Sequence, residues 1–439
     1  VYSKERPFFA PLARDPQRLT SEDHFQDVRS VAFQLDEGMR FAPGDALAVL
    51  PSQRKEKVAE FLARIGCRYD DWIRIQSAQG AGGHANDDDD EGGSSSSSSS
   101  VVHLGTLFNY CLDATSASPR RFFFEMAAHF ATDPVEREKL QELSSREGRD
   151  DLYQYCTRER RSLHECLDDF PSVSLPLGWA IELTPKLQPR FFSISSACLP
   201  ALPSASSSSS SSSPNSNPSS NSTNECELTV AVVRYKTPWK RSIEGLCSNY
   251  LRSLLQCSER IPVWVEKGSM RLGRFADISE REPQSALLIG PGTGIAPFKS
   301  CVDHLVRSTR NAGYRPPHAD TRLLVLFGCR GRQSDYLHRS FWLDSVGKSS
   351  CFSHPGGFAA AFSRDQKGEL LTHASPGKVN TRPLQRAQEK ASGDTLPAYS
   401  IANKYYVQDA IDTLSAQVYD LIHLRRGRGF VGGATGEEP

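Results

Sequence analysis

Leu287-Leu288-Ile289-Gly290-Pro291-Gly292-Thr293-Gly294-Ile295-Ala296-Pro297-Phe298 is the stretch on which the fold of the C-terminal third turns. Its apolar start reads as a buried strand, the Gly-Pro-Gly-Thr-Gly run as a tight turn, and Pro297 as a first-turn residue of a helix. Bare backbone N–H groups ahead of a helix N-terminus suit a pyrophosphate. The spacing departs from G-x-G-x-x-G, and no G-K-[ST] follows to make a P-loop. On this stretch alone, a structural turn and a phosphate cradle are equally good readings. A second apolar run, Leu323 to Phe327, follows, so the text after Pro283 alternates strand, turn and helix in the manner of a parallel α/β sheet.

Upstream the text changes character. Val28 to Leu35 alternates apolar with polar, Pro43-Gly44-Asp45 turns the chain, and Ala46 to Leu50, Phe191 to Ile194 and Leu228 to Tyr235 are further strand candidates. Together they predict an antiparallel barrel. Between them, residues from about Val101 to Val173 read as helical. Ser118-Pro119 offers an N-cap ahead of Phe122 to Phe124, and Asp133-Pro134-Val135-Glu136 puts an acid in a first turn. Ser162-Leu163-His164-Glu165 has the form of a capping box. Two tracts, Gly80 to Ser100 and Ser204 to Asn224, are too polar to bury a core and are expected to be disordered surface loops.

Of 439 residues, 38% are hydrophobic and 24% charged, which suits two or three domains with real cores. Basic and acidic residues both number 52, so no net field points to nucleic acid. No apolar run approaches the roughly 20 residues that cross a bilayer. Eleven Cys with no C-x-x-C pair read as reduced thiols in a cytoplasmic protein, with neither a disulfide framework nor a metal site. The opening Val1-Tyr2-Ser3-Lys4 lacks Met and reads as the interior of something longer.

With these segments in place, the glycine-rich stretch resembles the NADP pyrophosphate motif of the ferredoxin–NADP reductase superfamily. Arg190-Phe191-Phe192-Ser193 resembles that superfamily's flavin motif, R-x-[YF]-S. The resemblance implies that Arg190 neutralises the FAD diphosphate, Phe192 stacks on the isoalloxazine, and Ser193 hydrogen-bonds near flavin N5 as the catalytic residue. Gly245-Leu246-Cys247-Ser248 resembles the small-residue turn on the other side of the diphosphate, and Arg160 falls where an Arg meets the FAD adenine nucleotide. Gly290, Gly292, Thr293 and Gly294 are implied to hold the NADPH pyrophosphate. Ser363-Arg364 and Lys404-Tyr405-Tyr406-Val407-Gln408 resemble the paired motifs that select its 2′-phosphate. Phe327-Gly328-Cys329-Arg330 is similar to a further stretch of the family.

A helical insert inside the barrel is similar to diflavin reductases such as cytochrome P450 reductase. Arg6-Pro7-Phe8-Phe9-Ala10-Pro11 and Tyr153 to Arg161 resemble the cytosolic NADPH-dependent diflavin oxidoreductases that supply anamorsin-type iron–sulfur proteins in cluster assembly. The implied architecture is an antiparallel β-barrel FAD domain with an all-helical insertion, followed by an α/β parallel-sheet NADP domain. Its expected bounds are barrel at 1–78, loop at 79–100, connecting helices at 101–178, barrel again at 179–282 and NADP domain at 283–439. FMN is expected on a domain upstream of Val1. A P450- or sulfite-type reductase, or a flavin-binding docking module without turnover, remain the alternatives. Two features depart from the family: Phe352 to Gly357 is poor strand text, and Asp365 to Asn403 reads as a long loop between motifs that usually adjoin. Gly432 stands where P450 reductase carries a catalytic Cys, and the residues that cover the nicotinamide are expected to be absent beyond Pro439.

Overall fold

The structure is a computed structural model that describes residues 2–76, 99–198, 224–256, 260–272, 285–311, 321–365, 367–385 and 404–433. The chain divides into two compact units. The first comprises Val1–Val49, Arg190–Val232 and Leu251–Pro439; the second comprises Leu50–Pro189 and Val233–Tyr250.

In the first unit, β1 (Phe8–Ala10), β11 (Ile261–Glu266), β4 (Ala46–Val49) and β7 (Arg190–Ser193) form an antiparallel sheet in the order β1-β11-β4-β7. A second antiparallel sheet joins β2 (Leu12–Arg18), β3 (Val28–Gln34) and β8 (Glu225–Ala231). Ile194, the residue after β7, bridges to Leu228 on β8. The apolar text of β4 is explained by its place: Leu47, Ala48 and Val49 are fully buried between two neighbours.

The third sheet runs β16 (Lys378–Leu384), β15 (Lys367–Ser375), β14 (Gly357–Phe362), β13 (Leu323–Cys329), β12 (Ala286–Pro291) and β17 (Arg428–Val431). The last four are mutually parallel, and β15 and β16 add antiparallel at one side. Apolar residues cover both faces. Leu288, Val325, Phe327 and Phe358 pack with Phe298, Val302 and Trp342 from the helices Ala296–Asn311 and Arg339–Lys348. Leu287, Leu324, Leu326 and Ala359 pack on the other side with Tyr405, Ala410 and Leu414, around the helix Val407–Thr413. This two-sided burial is why the strands read as unbroken apolar runs.

The second unit holds β5 (Trp72–Gln76) paired with β6 (Ser99–His103), and β9 (Arg234–Lys236) paired with β10 (Ser242–Glu244). Helices span Lys55–Arg64, Leu104–Tyr110, Arg121–Phe130, Pro134–Ser144, Leu163–Asp169 and Leu177–Leu183 around Phe61, Phe108, Phe124 and Leu140. Asp133 caps Val135 and Glu136, with Pro134 in the first turn, and Ser162 with Glu165 closes the capping box. Ser118 does not cap: that helix starts at Arg121, with Arg120 at the cap position.

Three further expectations need correction. Val101 to His103 is strand, so the helical run starts at Leu104. The strand leading to Ser363 is not Phe352 to Gly357 but Gly357–Phe362, where three small alanines between two Phe fill a position buried on both faces. The long stretch after Asp365 is no loop at its start: β15 and β16 turn at Ser375-Pro376-Gly377-Lys378, with Gly377 in the left-handed region at φ 79°. The low-complexity tracts lie outside the described residues except at their ends. Ser99 and Ser100 open β6, and the Asn224 amide donates to the carbonyls of Asp36 and Met39, both at 2.7 Å.

Candidate functional site

Strand β7 sets Arg190 opposite Val49, Phe192 opposite Leu47 and Ser193 opposite Ala46. Alternation leaves Arg190 and Phe192 half-buried while Phe191 and Ser193 are exposed, the Phe191 ring at 58%. One strand end thus presents a guanidinium, two aromatic rings and a hydroxyl, a donor set that fits a flavin dinucleotide. Arg190→Ala is expected to weaken FAD retention roughly 10- to 100-fold, from a charge-assisted bond of about 1.5–3 kcal/mol. Flavin released from gel-filtered protein measures it; full FAD occupancy in the variant would remove Arg190 from the site.

The glycine stretch makes the sharp turn its sequence predicts. β12 ends at Pro291, Gly292–Ile295 make one tight turn, and the helix Ala296–Asn311 begins. A Cβ on Gly294 would sit 2.5 Å from the Gly432 carbonyl oxygen, and one on Gly290 would sit 2.8 Å from the Ile295 Cα. Gly292, at φ 53°, has nothing within 4 Å of where its Cβ would be. Two glycines let backbones touch and the third leaves open space before the helix, a shape that suits a pyrophosphate. Thr293 is half-buried beside it.

Ser363 and Arg364 leave the end of β14 with their amides bonded to the carbonyls of Cys329 (2.9 Å) and Arg330 (2.7 Å). Fixing the backbone there leaves the Arg364 side chain exposed. Lys404 to Tyr406 enters the helix Val407–Thr413, whose Val407 side chain lies against Gly328 at the end of β13. Both segments, separated by residues 365–403, therefore meet the same strand ends. The hairpin makes this possible: Gly368 on β15 packs under the Tyr405 ring, where a Cβ would approach it to 2.9 Å.

Tyr405 is buried to 1% exposure and its hydroxyl pairs with Thr413 at 3.1 Å, so its ring belongs to the core. Tyr406 is half-buried, its amide donating to the Asp409 carboxylate at 2.7 Å, and Gln408 is exposed. The Cys329 thiol is half-buried between these segments, and burial, then Asp335 and Asp365, push its pKa far up, so it stays a neutral thiol.

In the second unit Arg160 takes φ 51°, a left-handed conformation that costs a non-glycine residue. Its neighbours hold it there. The buried Glu159 accepts from the Thr237 hydroxyl and the Trp239 amide, and Arg161 pairs with Asp169 at 2.6 Å. Gly245 opens the helix Leu246–Ser253, its amide bonded to the Val233 carbonyl and its α-carbon pressed to the Val233 side chain. Ser248 does not offer its hydroxyl outward: it accepts from the Val233 amide and donates to the Gly245 carbonyl. Cys247 is likewise buried. What this turn can present to a phosphate is its first-turn amides, with Leu246 half-buried beside them.

The residues that sequence reading overlooked are Glu369 and Lys299. Glu369, 2% exposed on β15, pairs with Arg332 at 2.7 Å under the strand ends. Lys299 is buried in a mostly apolar helix start, Ile295-Ala296-Pro297-Phe298, and a lysine there is the signal that could have found it.

Residues 2–201 match the family model described as FAD binding domain. The chain is 36% identical over 368 residues to "NADPH-dependent diflavin oxidoreductase 1" of Arabidopsis thaliana, covering 83% of this chain and 52% of that protein. It is 32% identical to the protein of that name from Xenopus laevis, over 84% of this chain and 53% of the other. The Bos taurus protein aligns over 94% of this chain and 60% of itself at 31% identity. The chain thus spans about half the length of the curated relatives it matches.

Proposed function

We propose, for a chain that belongs with the NADPH-dependent diflavin oxidoreductases, that it moves electrons from NADPH to FAD and on to FMN held on a further domain of the same polypeptide. On this reading the antiparallel sheets of the first unit are the flavin barrel and the helices of the second are its insertion. The observation that carries the coenzyme half is the meeting of Ser363-Arg364 with Lys404 to Tyr406 at the ends of β13 and β14, across an intervening hairpin. Two sets of cationic and hydroxyl groups there have a common object only if a phosphate lies between them.

When bound, the cofactors would supply the redox chemistry, a hydride from NADPH to FAD and single electrons onward. The protein's part is to bind, orient and exclude water. Within the first unit, Arg190 would neutralise the diphosphate and Phe192 would support the ring. Ser193, exposed at the strand end, offers its hydroxyl beside the hydride acceptor. Gly290 to Gly294 carry the second pyrophosphate. An anamorsin-like iron–sulfur protein is the acceptor this reading favours. Ten free cysteines among the described residues suit a reducing compartment, the cytoplasm.

Acceptor choice tests it. With FAD loaded, NADPH is expected to drive ferricyanide reduction, since a small acceptor reaches the flavin edge directly. Cytochrome c is expected to be reduced at least tenfold more slowly, and fusion of an FMN domain upstream of Val1 to restore it through effective concentration. Efficient reduction of an iron–sulfur protein by this chain alone would sink the diflavin reading; no ferricyanide activity from an FAD-loaded sample would favour a docking module.

A further inference from the structure

Three consecutive residues downstream of the flavin strand are bonded to one side of the helix that follows the glycine turn. Lys299 Nζ donates to the Ser195 carbonyl at 3.0 Å and to Glu227 Oε2 at 2.8 Å. Ser300 Oγ donates to the Ser196 carbonyl at 2.7 Å, and Asp303 Oδ2 accepts from the Ala197 amide at 2.9 Å. Positions 299, 300 and 303 share a helix face, and all three residues are almost wholly buried. The other side of the segment is tied as firmly: Ser195 donates through its amide and hydroxyl to the Glu227 carbonyl, and Ser30 donates to the Glu227 carboxylate at 2.6 Å.

We propose that Lys299, with Ser300 and Asp303, is a positioning element that sets the approach of the nicotinamide to the flavin; this rests on the reading of the chain as an NADPH-to-FAD reductase. The clip begins two residues after Ser193 and five after Gly294, so it joins the two rigid pieces that hold the two reacting rings. Stability is a poor reason for a lysine there. A buried ion pair is often no better than apolar residues of the same volume, because desolvation offsets its attraction. What an apolar contact lacks is direction. Two hydrogen bonds from one ammonium, one to each wall, fix its distance from both, and a misplacement of about 1 Å can cost on the order of a hundredfold in rate.

The test is single-turnover flavin reduction by NADPH, followed by stopped-flow absorbance, in K299M/E227Q and in S300A. The double substitution leaves no lone buried charge, and S300A removes one bond only. In K299M/E227Q, FAD content and the NADP⁺ dissociation constant are expected within twofold of wild type, while reduction at saturating NADPH slows about tenfold or more. S300A is expected to slow it less, in the same rate and not in coenzyme binding. Wild-type reduction rates in both variants, or loss of FAD from K299M/E227Q, would overturn the positioning role, the second by showing the seam to be structural. A wild-type protein that NADPH fails to reduce would instead overturn the reductase reading itself.

Discussion

With Arg364 and Lys404 both replaced by alanine, the KM for NADPH is expected to rise at least a hundredfold while that for NADH scarcely moves. The expectation rests on where the two cations are rooted. Among the described residues Arg364 is held through its backbone amide, which donates to the Arg330 carbonyl, and its side chain is exposed at the end of β14. Lys404 sits one residue from Tyr405, whose burial fixes the start of its helix. Each charge-assisted contact to a phosphate is worth about 1.5–3 kcal/mol, and about 1.4 kcal/mol is tenfold in affinity. Two contacts at the lower limit already give more than a hundredfold. NADH has no 2′-phosphate, so it loses nothing by the change. Each single variant is expected to fall between, about 10- to 100-fold. Steady-state kinetics with both coenzymes decide the matter: equal losses with NADPH and NADH would make these residues structural supports.

The sequence carried the parallel sheet plainly, because β12 and β13 are buried on both faces and their apolar runs are bounded by a glycine turn and by Gly328-Cys329. Strand β7 was legible through Arg190 to Ser193, four residues whose chemistry is unusual for a strand end. What hid β14 was its composition: Ala359, Ala360 and Ala361 have low strand propensity, and only the close packing of Trp342 over Phe358, 4.5 Å between ring centres, makes small residues the right choice there. The hairpin was hidden for the opposite reason. Most of β16 faces water, so Lys378, Asn380 and Arg382 leave no apolar alternation to read, and the charges and Pro383 suit a sheet edge that must not pair further. The adjacent Tyr405 and Tyr406 look alike in sequence. Only the sheet beneath them tells the buried ring from the half-buried one.

Acid is expected to unfold the first unit in two overlapping steps, and His338 accounts for the first. The residue is half-buried with φ 56°, its Nε2 paired with the Thr229 hydroxyl at 2.9 Å. Burial, and then the Lys299 ammonium, press its pKa from 6.5 to about 3, against a smaller pull from Glu227. Glu227 itself is held down to about 2: burial alone would raise it, but Lys299, then His338, and the bonds from Lys299 and Ser30 prevail. Arg14, 3.9 Å from the same carboxylate, adds a further cation. Between pH 6.5 and 3 an unfolded chain protonates this histidine and the native one does not, so stability falls as pH falls. Between 4.5 and 2 the unfolded chain likewise protonates Glu227 first, and the two losses add. At pH 4.5 the histidine alone is expected to have cost roughly 2–3 kcal/mol relative to neutral pH. Urea titrations from pH 8 to 4, read by near-UV circular dichroism, measure the loss. His338→Asn keeps a side chain that tolerates the left-handed backbone and removes the titrating group. It is expected to flatten the profile above pH 4.5 and leave the fall below it, where Glu227 of the unfolded chain takes up a proton. Parallel profiles for the two proteins would show that His338 is not the group that makes the unit acid-labile.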